Sequence, residues 1–200
     1  MLRFSDSTKY GKTVPKEAFY RHMTLNSKTK ESFVRDIKKI VWANKLSHTN
    51  MNIEAGSSVK EIEIFEIELK NDSIDYGTIE AIAKQVPQKI VFVLKYEGRA
   101  QLCIYLKKLH MTVWQPENML ALNIVGMDLD KVWDNFVLQI SGLREEPGAA
   151  GAEKTVERDI ERRKLQKKID ALRRKMANEK QFNRKIKLRK EIAELTQQLK

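Results

Sequence analysis

Cysteine is nearly absent: Cys103 is the only one in 200 residues. A disulfide framework is thereby excluded, and a reducing compartment fits. Histidine is scarce too. His22, His48 and His110 lie far from one another and from Cys103, so no zinc-ligand spacing appears. No apolar run approaches the ~18 residues that a membrane span needs. The segment Met1–Tyr10 lacks the apolar core of a signal peptide. These absences predict a soluble, cytoplasmic protein without a membrane partner. The phosphate-binding pattern G-x-x-x-x-G-K-[ST], the dinucleotide pattern G-x-G-x-x-G and the nucleophile elbow G-x-S-x-G are all missing. ATP, dinucleotide and hydrolase chemistry therefore lack motif support, and no cofactor or resident metal is expected. Cys103 sits between Leu102 and Ile104 and reads as a buried, inert thiol.

What is abundant is positive charge, and it is unevenly placed. The chain carries a net +11. Residues 154–200 hold 17 lysines and arginines against 7 acids, a net +10, which leaves 21 against 20 in residues 1–153. Such asymmetry points to a polyanionic partner or an acidic protein surface. Glycine and proline cluster just before that basic segment, at Pro147, Gly148 and Gly151. The expected organisation is a globular domain over 1–145, a flexible linker over 146–153 and a basic helical tail over 154–200.

Within the domain, Pro15 opens a short helical stretch through Phe19 and Tyr20. Asn26-Ser27 caps a longer helix whose apolar positions Phe33, Ile37, Ile40 and Val41, extended by Trp42 and Leu46, recur at helical spacing. Its lysines and arginine (Lys28, Lys30, Arg35, Lys38, Lys39, Lys45) read as a wet face. Thr49–Ser58 reads as a loop. Residues 60–70 alternate between apolar and charged residues on either side of Phe65, where the apolar parity switches, as a β-bulge or a change of buried face requires. Asp75 caps a helix carrying Ile79, Ile82 and Val86, stopped by Pro87. Ile90–Leu94 and Leu102–Leu106 form a hairpin around Glu97-Gly98-Arg99. Met111–Trp114 and Leu120–Val125 read as two more strands. Asp128 caps a helix with Leu129, Val132, Trp133, Phe136 and Ile140 on its inner side, and Gly142 ends it. The fold class is α+β: a mixed, mostly antiparallel sheet with packing helices on one face, followed by a basic C-terminal helical hairpin or coiled coil.

In the tail, Leu165, Ile169, Leu172 and Met176 form a coiled-coil seam, and Leu188, Ile192, Leu195 and Leu199 repeat it. From Met176 to Leu188 the phase drifts by about 120° at ~100° per residue. Either the chain turns back near Asn178–Asn183 into a hairpin, or one rod shows its seams to different neighbours. Asn178 and Asn183, poor interior helix residues, favour the turn.

Two segments offer chemistry. Glu66, Glu68 and Lys70 share one strand face, and Glu68-Leu69-Lys70 is the E-x-K half of a metal-dependent nuclease pattern. A further carboxylate is required, and Glu54 and Asp75 are the candidates that sequence offers. The same pattern also suits an exposed strand face kept soluble by its charges. The second segment is the tail. Arg162, Arg163, Lys164, Lys167, Lys168, Arg173, Arg174, Lys175, Arg184 and Lys185 flank the seam residues and can neutralise phosphates. Phe182 is the lone aromatic among them, too little for base stacking. Glu157, Asp159, Glu161, Asp170 and Glu179 temper the charge, which suits pairing with an acidic helix as well. Self-association through the tail, giving a homodimer, is a further reading.

Val14-Pro-Lys, Phe19-Tyr20, the Phe33…Ile37-Lys-Lys-Ile40…Trp42…Asn44-Lys45-Leu46 segment, Glu61-Ile-Glu-Ile-Phe-Glu-Ile67, Val86-Pro87 and Glu179-Lys-Gln-Phe-Asn-Arg-Lys185 resemble a bacterial domain-of-unknown-function family, number 4391. The resemblance runs over nearly the whole chain and carries over no catalytic residue. It implies company with helicase-type ATPases and DNA methyltransferases in restriction-like or anti-phage gene groups. Together these readings lead to an expected non-catalytic accessory subunit that binds such a partner, or DNA or RNA backbone, through its tail. The alternative is a small metal-dependent nuclease using Glu66, Glu68 and Lys70.

Overall fold

The computed structural model describes Leu2 and residues 4–18, 25–145 and 151–199. His22, the expected helical residues Phe19 and Tyr20 and most of the expected linker (146–150) lie outside them. The chain folds as two compact units, one over Met1–Glu153 and a second over Lys154–Lys200.

The first unit is built on a sheet of seven strands: β1 (Lys9–Thr13), β2 (Ile37–Ser47), β3 (Glu61–Leu69), β4 (Lys89–Tyr96), β5 (Arg99–Leu106), β6 (Lys108–Met111) and the short β7 (Gln115–Pro116). They lie in the order β1-β2-β3-β4-β5-β6, and β7 also pairs with β5. Every pairing is antiparallel except β3 with β4. That parallel pair needs a crossover, supplied by helix α2 (Tyr76–Gln85). Helix α1 (Ser27–Asp36) precedes β2, and helix α3 (Leu129–Ser141) follows the sheet.

Local signals fix the helix ends. Asn26 Oδ1 accepts from the Thr29 N–H at 2.8 Å, Asp75 Oδ1 from Gly77 at 2.9 Å, and Asp128 Oδ1 from Lys131 at 2.8 Å. Each satisfies an otherwise orphaned helix donor. Gly142 ends α3 in the left-handed region at φ 68°, where glycine carries no steric cost.

The longer helix expected from Asn26 to Leu46 is instead a helix and a strand, divided at Asp36. Asp36 is buried, and it accepts from Ser32 Oγ at 2.8 Å and Arg35 Nε at 2.6 Å. Its own carbonyl accepts from the Lys70 N–H at 2.8 Å, the last rung before β2 and β3 zip together. The apolar spacing of Ile37, Ile40 and Val41 suits a helix, but β-branched side chains and a long strand partner favour the sheet. Bulges in β2, between Ile37 and Lys39 and between Trp42 and Asn44, keep its apolar residues in step with β3.

Helices cover both faces of the sheet, a correction to the one-sided packing expected. Register sorts the residues. Ile37, Ile40, Ile67, Leu69, Phe92, Leu94 and Cys103 lie on one face, in a single core with Phe33 of α1 and Ile79 and Ile82 of α2. Ile62, Ile64, Val91 and Ile104 lie on the other, the side of α3, which touches β3, β5 and β6. On that side Lys89 Nζ stands 5.3 Å from the centroid of Trp133. The parity switch in β3 is thus a change of buried face. The strand itself runs in unbroken register with β4 from Ile62 to Glu68.

The expected strand at Met111–Trp114 lies earlier, at β6. Leu120–Val125 forms no strand, although Leu120 and Leu122 are buried. The free side of β5 is already taken by β6 and β7.

The second unit, together with the last two residues of the first, is α4 (Ala152–Asn178) and α5 (Phe182–Gln198), joined by residues 179–181. Lys168 Nζ of α4 lies 3.3 Å from Glu191 Oε1 of α5, which fixes a helical hairpin. No helix among the described residues is long and apolar enough to cross a membrane.

Candidate functional site

The parity switch that turns Phe65, Ile67 and Leu69 toward the α1–α2 core leaves Glu66 and Glu68 on the α3 side of the sheet. There they line a cleft of about 720 Å³. It lies toward the carboxyl ends of the parallel strands β3 and β4, the end where open α/β sheets bind ligands. The cleft is lined by four lysines (38, 39, 70 and 95) and four glutamates (66, 68, 97 and 117).

Lys95 is the most enclosed of the paired cations here, its side chain 17% exposed. Its ammonium lies 3.0 Å from Glu66 and 3.4 Å from Glu117. Lys38, at the first β2 bulge, pairs with Glu68 at 2.7 Å. Lys70 also lines the cleft, but its Nζ donates to the Val34 carbonyl at 2.8 Å. The E-x-K triplet therefore does not share one strand face as expected: β3 ends at Leu69, Lys70 lies just beyond it, and the acids find other cations, Lys38 taking Glu68 and Lys95 taking Glu66. The converging carboxylate is Glu117, after β7. Asp75 caps α2, and Glu54 pairs through its backbone with Met127 and Leu129. Among the described residues no group of three or more His, Cys, Asp or Glu is placed to hold a metal ion.

Sequence reasoning missed Lys95, Lys38 and Glu117. Lys95 closes the apolar run of β4, and only register sets it opposite Glu68. Two other buried titratable groups of this unit lie on the opposite face. Burial pushes the Cys103 thiol up to about 12, which keeps it protonated and inert. Burial also raises Glu63 to about 7, with Glu61 beside it adding to the effect.

In the hairpin, the seam residues form the buried sides of the helices. Ile169, Leu188 and Leu195 are buried, and Leu165, Leu172, Met176, Ile192 and Leu199 are half-buried. The cations of α4 point outward. Arg162, Arg163, Lys164, Lys167, Lys168, Arg173, Arg174 and Lys175 are all exposed, as are Arg184 and Lys185 of α5. Several hold acids of the hairpin: Arg163 pairs with Asp159 at 2.8 Å, Arg173 with Asp170 at 3.6 Å and Arg184 with Glu179 at 4.0 Å. Lys164, Lys167 and Arg174, spaced three and seven apart, share one side of α4. Phe182, at the start of α5, is 74% exposed.

The chain belongs to a family described as Domain of unknown function (DUF4391), which matches residues 2–199. The chain matches no curated protein and no solved structure.

Proposed function

We propose that this family member is a non-catalytic accessory subunit whose basic hairpin holds it to a larger DNA-processing partner or to nucleic-acid backbone. The observation that carries the reading is the hairpin's division of labour. Its apolar seams are turned to the buried sides, and Lys164, Lys167 and Arg174 stand exposed along one side of α4. Charges so placed attract polyanions at long range and lose that attraction in salt. The cleft supports the same reading, because Glu66 and Glu68 each already have a lysine within 3.0 Å. The DNA-processing context, with a helicase- or methyltransferase-type partner, rests on the family resemblance.

The test is charge reversal in the full chain, Lys164→Glu with Lys167→Glu and Arg174→Glu. Retention on a labelled DNA duplex, and co-purification of the native partner at low and high salt, should both be measured. Loss of one or both supports the reading. Unchanged behaviour in both overturns it.

A second reading, a metal-dependent nuclease, is favoured by one observation: Glu66 and Glu117 converge on a single lysine in a cleft. Magnesium is commonly held by one or two carboxylates plus substrate phosphates. Magnesium- or manganese-dependent cleavage of DNA or RNA, lost in Glu66→Gln, would replace the first reading with this one.

A further inference from the structure

Helix α5 carries a second surface that its seam does not use. Phe182 and Ile186 are 74% and 42% exposed, in a hairpin whose seam residues are all buried or half-buried. Four residues apart, they stand one above the other on the helix. At ~100° per residue this ridge lies about 150° round the helix from the Leu188–Leu195 seam, so burying the seam leaves the ridge free. Lys185, Arg189 and Lys190 border it, all exposed. From Phe182 to Lys190 the helix contains basic residues at 184, 185, 187, 189 and 190 and no acid.

We infer that the Phe182–Ile186 ridge, bordered by Lys185, Arg189 and Lys190, is a docking surface for an acidic amphipathic helix of a partner protein. The inference rests on the docking reading above and names the chemistry of the partner. Each component selects against another occupant. A second copy, meeting the ridge through a twofold axis, would set Lys185, Arg189 and Lys190 against their own counterparts. Phosphate backbone rewards the cations but gains nothing from an exposed phenylalanine and isoleucine. A lipid surface takes a wider apolar face than two side chains provide. A helix with leucine-type anchors between glutamates satisfies both components, the apolar residues filling the contact and the charges setting register and partner choice.

The experiment uses the full chain and a synthetic helical peptide with leucines at i, i+4 and i+7 flanked by glutamates. A lysine-flanked copy of that peptide, a DNA duplex and phosphatidylserine vesicles serve as the other probes. The glutamate peptide should bind. Phe182→Ser with Ile186→Ser should weaken that binding by about tenfold or more, while the helical circular dichroism stays unchanged. Independently, Lys185→Glu with Arg189→Glu should transfer binding to the lysine-flanked peptide. Absence of peptide binding, or equal binding by the serine variant, overturns the inference. So does binding of duplex or vesicles that depends on Phe182. If the peptide fails while reversal of Lys164, Lys167 and Arg174 still abolishes retention, the ridge is wrong and the hairpin reading stands. If neither set of variants changes any binding, both fall.

Discussion

Trp42 Nε1 donates a 2.5 Å hydrogen bond to Glu63 Oε2, and Glu63 is only 3% exposed. A neutral indole is thus the direct donor to a nearly buried carboxylate. The cation of that neighbourhood, Lys45, is paired with Glu61. Burial penalises the charge on Glu63, and repulsion from Glu61 adds to it, so Glu63 holds its proton up to about pH 7 against 4.5 when unperturbed.

Stability should therefore fall with rising pH across that window. The folded state binds the proton more tightly than the unfolded chain. Its contribution is fully present below pH 4.5 and is lost as pH rises through about 7. The span is at most about 3.5 kcal/mol, at ~1.4 kcal/mol per unit. Urea unfolding at a series of pH values, compared with Glu63→Gln, checks it: the glutamine variant should show a flatter profile there.

Breaking the cleft network at its centre should cost stability. Lys95→Met leaves Glu66 and Glu117 with their shared cation gone, in a partly buried site. We expect a loss of about 2 kcal/mol. Adding Glu66→Gln should recover part of it, and a double-mutant cycle by denaturant unfolding measures the coupling.

Asp130 should be a strong point of the first unit. Its carboxylate accepts from the backbone N–H groups of Ser57, Ser58 and Val59 and from the Ser57 hydroxyl. Those partners hold its pKa below the usual carboxylate value, the Ser57 hydroxyl most of all. Asp130→Ala should cost about 2 kcal/mol, because it strands several donors at once. Gly56→Ala should hurt the same loop. A Cβ there would come within 2.7 Å of the Asp130 backbone nitrogen. Thermal melts of the two variants, with amide exchange at Ser57–Val59, make the check.

In the second unit, Ile169 is 1% exposed, deepest of the seam. Ile169→Ala should weaken hairpin packing by about 2–4 kcal/mol. The expected readout is earlier proteolytic cleavage within 154–200, with the sheet's unfolding transition unchanged. A shift of the sheet's transition by the same amount would contradict it.

The residues that could be read from sequence were those whose physics is local. A cap satisfies donors two or three residues away, so Asn26, Asp75 and Asp128 announced their helices, and Gly142 its stop. Alternation in Glu61–Leu69 reports which face each apolar residue takes, though not that Glu63 is buried, and the tail's charge is a sum over sequence. The out-of-phase seams left a hairpin and a single rod both open, with Asn178 and Asn183 favouring the turn, and the helix break at residues 179–181 gives the hairpin.

Tertiary structure decided what depends on partners distant in sequence. Ile37, Ile40 and Val41 fit helical spacing, and only pairing with β3 makes them a strand. Leu120–Val125 has strand-like composition but belongs to no strand, and Leu120 and Leu122 are buried without one. The E-x-K triplet was visible, yet its lysine turns to Val34 while Lys38 and Lys95 arrive from other strands. The order of residues by itself determined which side chains are charged or apolar and how they alternate along each segment. Strand register, set by hydrogen bonds between distant segments, decided which of those side chains share a face, and so which charges meet.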